Sequence, residues 1–133
     1  MTELFSNDAG LMRLHELVKE HPDFEVMPAS SCYRYCFRYL PNNFADRREE
    51  PEIQRLLDDL NQQIAAAVQR TGRASLLTTR IYGRIAMRMP DCSATSTAEI
   101  DTTFEAIARW GRLLNKKLIV QNNRTTNMEA SYV

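Results

Sequence analysis

Cys32-Tyr33-Arg34-Tyr35-Cys36-Phe37-Arg38-Tyr39-Leu40-Pro41 is the stretch on which the reading of the fold turns. Its period is two: Tyr33, Tyr35, Phe37 and Tyr39 fall on one side of an extended chain, and Cys32, Arg34, Cys36 and Arg38 on the other. The aromatic side predicts the buried face of a strand, and Pro41, which has no N–H to give to a ladder, ends it. Upstream, Asp23-Phe24-Glu25-Val26-Met27 alternates in the same way and predicts a short strand stopped by Pro28. Before that, Leu11, Leu14, Leu17 and Val18 recur at helical spacing, so a helix is expected from about Asp8 to Glu20, closed by Pro22.

Downstream of Pro41 a polar loop rich in Arg and Glu leads to Pro51, a favourable residue for the first turn of a helix. Ile53, Leu56, Leu57, Leu60, Ile64, Ala67 and Val68 then form one apolar stripe, and Gly72 is placed to end it. From Ala74 to Met89 alternation and β-branched residues return, with Tyr82-Gly83 as the turn between two extended segments. Ser96 followed by Glu99 is a capping box that opens a last amphipathic helix, whose core face is Ile100, Phe104, Ile107, Ala108 and Leu114. Residues 1–115 are therefore expected to form one domain, and residues 116–133 a polar, partly disordered tail. Strands interleaved with helices predict an α+β fold, a small antiparallel sheet with amphipathic helices packed on one face. The other face then carries Arg34, Arg38, Arg84 and Arg88.

Composition narrows the function. The chain has 133 residues, 17 Lys+Arg against 17 Asp+Glu, 44% hydrophobic and 26% charged, as in one ordinary soluble domain. Zero net charge removes the general attraction to phosphate backbones, so no nucleic-acid partner is expected. The longest uncharged apolar run, residues 64–68, is far below the roughly 20 residues of a membrane span, so no membrane partner is expected either. The N-terminus lacks the basic and apolar pattern of a secretory signal, so a cytoplasmic location is expected. Cys32, Cys36 and Cys92 are an odd, sparse set that fits reduced thiols. His15 and His21 do not have the i, i+4 spacing of a metal pair, and the four glycines stand singly, so neither a metal site nor a phosphate-cradling loop is expected. Arg88, between Met87 and Met89 and just before the Pro90-Asp91 break, is the candidate for binding a carboxylate, because a guanidinium offers a planar fork of donors. Against that stands the ordinary reading of strand arginines as solvated or cross-strand paired groups.

Two stretches together carry a resemblance. Cys36-Phe37-Arg38-Tyr39-Leu40-Pro41 resembles the Cys-Phe-Arg-Tyr-x-Pro strand in the C-terminal small domain of group II pyridoxal-phosphate-dependent amino-acid decarboxylases, the family of the aromatic amino-acid, glutamate and diaminobutyrate decarboxylases. Thr79-Arg80-Ile81-Tyr82-Gly83-Arg84-Ile85-Ala86-Met87-Arg88-Met89 is similar to that family's Thr-x-x-x-Gly-x-x-x-Leu-Arg-Met strand, and Thr95 to Asp101 to its Thr-rich turn before a helix. The resemblance covers roughly residues 4 to 115, in the family's order.

The resemblance implies a fold like the C-terminal domain of fold type I pyridoxal-phosphate enzymes, and a carboxy-lyase reaction in amino-acid metabolism. It also implies that Arg88 matches the arginine that clamps a substrate carboxylate in glutamate-type members. The family's catalytic lysine follows a histidine, whereas neither His15 nor His21 precedes a lysine, and Lys19, Lys116 and Lys117 are the only lysines. Catalytic and cofactor-binding residues are thus expected in a missing large pyridoxal-phosphate-binding domain or subunit. The chain reads as a split subunit or fragment, inactive alone and binding no cofactor by itself, with self-association to a homodimer expected. The alternative is a non-catalytic binding or regulatory module that uses the arginine-lined sheet face.

Overall fold

The computed structural model describes residues 8–28, 35–72, 75–90 and 94–131, the last of these by backbone alone beyond residue 120. Its elements run α1 (Ala9–Glu20), β1 (Phe24–Val26), β2 (Cys36–Tyr39), α2 (Asn42–Ala45), α3 (Pro51–Arg70), β3 (Leu77–Ile81), β4 (Arg84–Arg88) and α4 (Thr97–Ser131). The strands form one antiparallel sheet in the order β1-β2-β4-β3, and α1, α3 and α4 cover one face, so the fold is α+β as expected.

Each element starts where its local chemistry allows. Asp8 caps α1 by accepting the Leu11 N–H at 2.8 Å, and Pro51 occupies the first turn of α3. The Ser96 hydroxyl accepts the Glu99 N–H at 3.2 Å, which is the expected capping contact at the head of α4. Between β3 and β4 both turn residues take positive φ, Tyr82 at 49° and Gly83 at 79°, the pattern that matches the twist of a tight hairpin. The polar loop after Pro41 contains the short helix α2, because Phe44 turns inward to join Leu40, Ile53 and Leu57 in a small apolar cluster. Helix α4 does not stop near Asn115 but continues to Ser131, past the residue at which a polar tail is expected. No Gly or Pro follows Gly111 to break it, and Leu118 packs on the Leu40–Phe44 cluster. The first residues of the expected strand, from Cys32 to Arg34, lie outside the described residues.

The aromatic face is buried as the alternation requires: Tyr35, Phe37 and Tyr39 are at most 5% exposed, and they join Phe24, Leu14, Ile64, Met87, Ile100 and Ile107 in the main core. Phe24 lies at its centre, with ring centroids 5.1 Å from Tyr39 and 4.8 Å from Phe104.

One joint in the sheet is unusual. β2 and β4 pair only at Cys36↔Arg88 and Phe37↔Met87. Continuing that register would set Tyr39 against Ile85, but α3 intervenes instead. Asn61 accepts the Tyr39 N–H at 2.8 Å and donates to the Tyr39 carbonyl at 3.0 Å, while Asp58, one turn earlier, accepts the Ile85 N–H at 2.8 Å. Two polar side chains of a helix thus stand in for the next rung of the ladder. This satisfies backbone groups that would otherwise be buried without partners.

Candidate functional site

Arg88 reaches its position by strand alternation. Met87 and Met89 are buried toward the helices, which turns Arg88 to the opposite face near the end of β4. Its neighbours across the sheet are Cys36 on β2 and Leu77 on β3. Arg88 is half-buried, and no carboxylate among the described residues pairs with it. Leu77 beside it is 45% exposed, so Arg88 adjoins uncovered apolar surface.

Arg38, Arg84 and Arg88 share this face by register, whereas Arg34 and the thiols Cys32 and Cys92 lie outside the described residues. The three arginines are not equivalent. Arg38 is fully buried and donates from Nε to Glu25, its directly opposite partner on β1, while its Nη1 and Nη2 have no acceptor. Arg84 pairs with Glu49 at 2.7 Å, and Arg48 lies 3.7 Å from Glu25 and 4.0 Å from Glu49. Neither partner is marked by periodicity or motif. Glu25 becomes visible as one only once the β1–β2 register is known, and Glu49 sits in a loop with no periodicity. Cys36 is a buried thiol in a small cluster with Met27 and Ala86 on the same face.

Neither histidine belongs to this face. The His15 Nδ1 lies 2.8 Å from the Tyr35 hydroxyl, and the His21 Nδ1 accepts the Asp23 N–H at 3.1 Å while its ring packs edge-on against Phe24. Burial holds both imidazoles below the ordinary histidine value, helped by Lys19 at His15 and by Arg112 at His21, with Asp23 opposing at His21. A folded-state pKa below that of the unfolded chain means that the unfolded state takes up protons first as pH falls. The contribution of the two histidines is therefore full above about pH 6.5 and declines as pH falls below it. Melting temperatures measured across that window should fall. The double variant His15→Gln, His21→Gln should flatten the curve, and an unchanged slope would refute the assignment.

Lys19 on α1 and Lys116 and Lys117 on α4 are exposed on helices. A larger hollow of about 770 Å³ lies between the end of α3 and α4, lined by Val68, Thr71, Thr102, Thr103 and Arg109. It is on the helical side, away from Arg88. No helix among the described residues is long and apolar enough to cross a membrane, and no group of three His, Cys, Asp or Glu among them is placed to hold a metal ion.

No family model matches the chain, and no curated protein sequence matches it. Solved structures do. Oryza sativa TDC with PLP and tryptamine matches with a TM-score of 0.66 at 21% identity, over 84% of this chain and 22% of that one. Catharanthus roseus tryptophan decarboxylase in complex with L-tryptophan matches at 0.62 and 19% identity, over 85% of this chain and 22% of that one. The glutamate decarboxylase domain of the diaminobutyrate-pyruvate transaminase and L-2,4-diaminobutyrate decarboxylase from Vibrio parahaemolyticus matches at 0.58 and 17% identity, over 82% and 21%. The chain thus shares a fold with about a fifth of the length of each of these structures, which come from the decarboxylase family that its motifs resemble.

Proposed function

We propose that the chain is the small C-terminal domain of a group II pyridoxal-phosphate-dependent amino-acid decarboxylase, as a split subunit or fragment, and that Arg88 binds the substrate carboxylate in the assembled enzyme. The observation that carries this reading is the agreement of two independent signals. The ordered motifs of the sequence resemble that family, and the fold is found in its solved members. The residues present do not themselves fit pyridoxal phosphate. The three lysines stand exposed on helices, and none follows a histidine. Cofactor binding and bond cleavage accordingly belong to a larger cytoplasmic partner, and the chain alone is inactive. Arg88 and exposed Leu77 form part of the surface that the partner covers, and the lone chain self-associates through such surface.

The chain's own contribution is orientation. A guanidinium on a packed strand, flanked by two buried methionines, meets a carboxylate with two parallel hydrogen bonds and little loss of side-chain freedom. A regulatory module using an arginine-lined face is less well supported, since Glu25 and Glu49 already occupy Arg38 and Arg84.

The tagged chain should co-purify from its host with a yellow partner several times heavier. Elution as a colourless chain, alone or as its own oligomer, would overturn the split-enzyme reading. In the assembled enzyme Arg88→Lys should raise KM for the amino acid on the order of tenfold to a hundredfold, the range of a lost charge-assisted bidentate contact, and leave the cofactor spectrum unchanged. An unchanged KM would remove Arg88 from substrate binding.

A further inference from the structure

On the sheet face turned away from the helices, Glu25, Met27, Arg48, Glu49, Ile81 and Arg84 enclose a cleft of about 340 Å³. Neither Arg88 nor the buried Arg38 is among its walls, and the cleft does not depend on the site proposed above. Its size lies at the lower end of small-molecule pockets. One side is apolar, where Met27 packs with Cys36 and Ala86, and Ile81 lies against them. The rest is an ion-pair cluster. Glu25 serves both Arg38 and Arg48, and Glu49 serves both Arg84 and Arg48.

Three guanidiniums facing two carboxylates leave one positive charge over. The surplus has an address: Arg38, behind Glu25, is fully buried, bonded only through Nε, with nothing to accept from Nη1 and Nη2. A guanidinium cannot shed its charge by losing a proton, and a buried one requires acceptors. The vacant edge carries two parallel donors, the geometry that a carboxylate fills with both oxygens. A dianion would overshoot the charge beside Glu25 and Glu49.

We propose that this cleft binds a small organic monocarboxylate, its carboxylate on the Nη edge of Arg38 and its apolar part against Met27 and Ile81. Arg38 has no solvent contact, so the anion reaches it as the wall beside it gives way. Arg48, whose side chain is 49% exposed and whose ion pairs at 3.7 and 4.0 Å are the longest in the cluster, is the part that moves.

The test is a calorimetric and NMR titration of the full chain with sodium propanoate, against sodium chloride and sodium phosphate at matched ionic strength and against neutral propanamide. Propanoate should bind saturably and propanamide should not. Arg38→Met should weaken propanoate binding at least tenfold. Should that variant fail to fold, Arg48→Gln at the exposed wall cancels the surplus charge and should produce a similar loss, whereas Glu49→Gln adds to the surplus and should tighten binding. Propanoate behaving like chloride, phosphate binding in preference to it, or affinity unchanged in the charge variants would overturn the site.

Discussion

Replacing Asn61 with leucine should lower the free energy of unfolding by about 2–6 kcal/mol, because two buried main-chain groups lose their partners at once and each such loss costs about 1–3 kcal/mol. Asn61 is fully buried, accepts the Tyr39 N–H and donates to the Tyr39 carbonyl and to the Leu57 carbonyl one turn back. Leucine matches its shape closely enough to fill the space but offers nothing to the strand. Tyr39 is 1% exposed, so water cannot make up the difference. Urea unfolding would give the magnitude, and hydrogen exchange at the Tyr39 amide the location. A loss under about 1 kcal/mol, the worth of one ordinary hydrogen bond, would mean that Asn61 does not hold the strand.

Gly111→Val should be nearly as damaging, at about 3 kcal/mol, the upper end of overpacking costs. A Cβ at Gly111 would lie 2.8 Å from Cε1 and 2.9 Å from Cζ of the Tyr39 ring. That ring is itself buried against Phe24, so it has no easy retreat. Helix propensity pulls the other way, since any side chain in mid-helix gains up to about 1 kcal/mol over glycine, but the steric term is larger. Gly111→Ala isolates the balance and should also destabilise, by less. Thermal unfolding of the two variants checks the order, and a stabilised Gly111→Ala would show that Tyr39 moves aside freely. The same burial pushes the Tyr39 phenol up to about 12, from an ordinary value near 10. Its folded pKa is the raised one, so its contribution is present below pH 10 and lost as pH climbs toward 12.

Periodicity carried most of the fold. The alternation from Tyr35 to Tyr39, the stripe from Ile53 to Val68 and the Tyr82-Gly83 turn each follow from local geometry, and the elements appear where those patterns place them. What stayed illegible depends on contacts between distant segments. Phe44 in a polar loop gives no periodic signal, so α2 could not be read. The length of α4 follows from the absence of breakers, a weak sign in a stretch of Asn, Gln and Thr. The apolar stripe of α3 does not point to Asn61, although a polar residue beside Leu60 on the core side of a helix is a sign that something inside needs it. At the site, alternation placed Arg88 but could not separate it from Arg38 and Arg84, because the glutamates that occupy those two come from β1 and a loop.

The wedge of Asp58 and Asn61 divides the sheet into two ribbons, β1 with β2 and β3 with β4, riveted together only at Cys36–Arg88 and Phe37–Met87. Beyond those rivets α3 is the spacer that sets the gap, bonded to Tyr39 on one side and Ile85 on the other. Arg88 is one of the rivets. The residue proposed to hold a carboxylate is therefore anchored from both ribbons at once, while the hairpin tip at Tyr82 lies at the far end of its own.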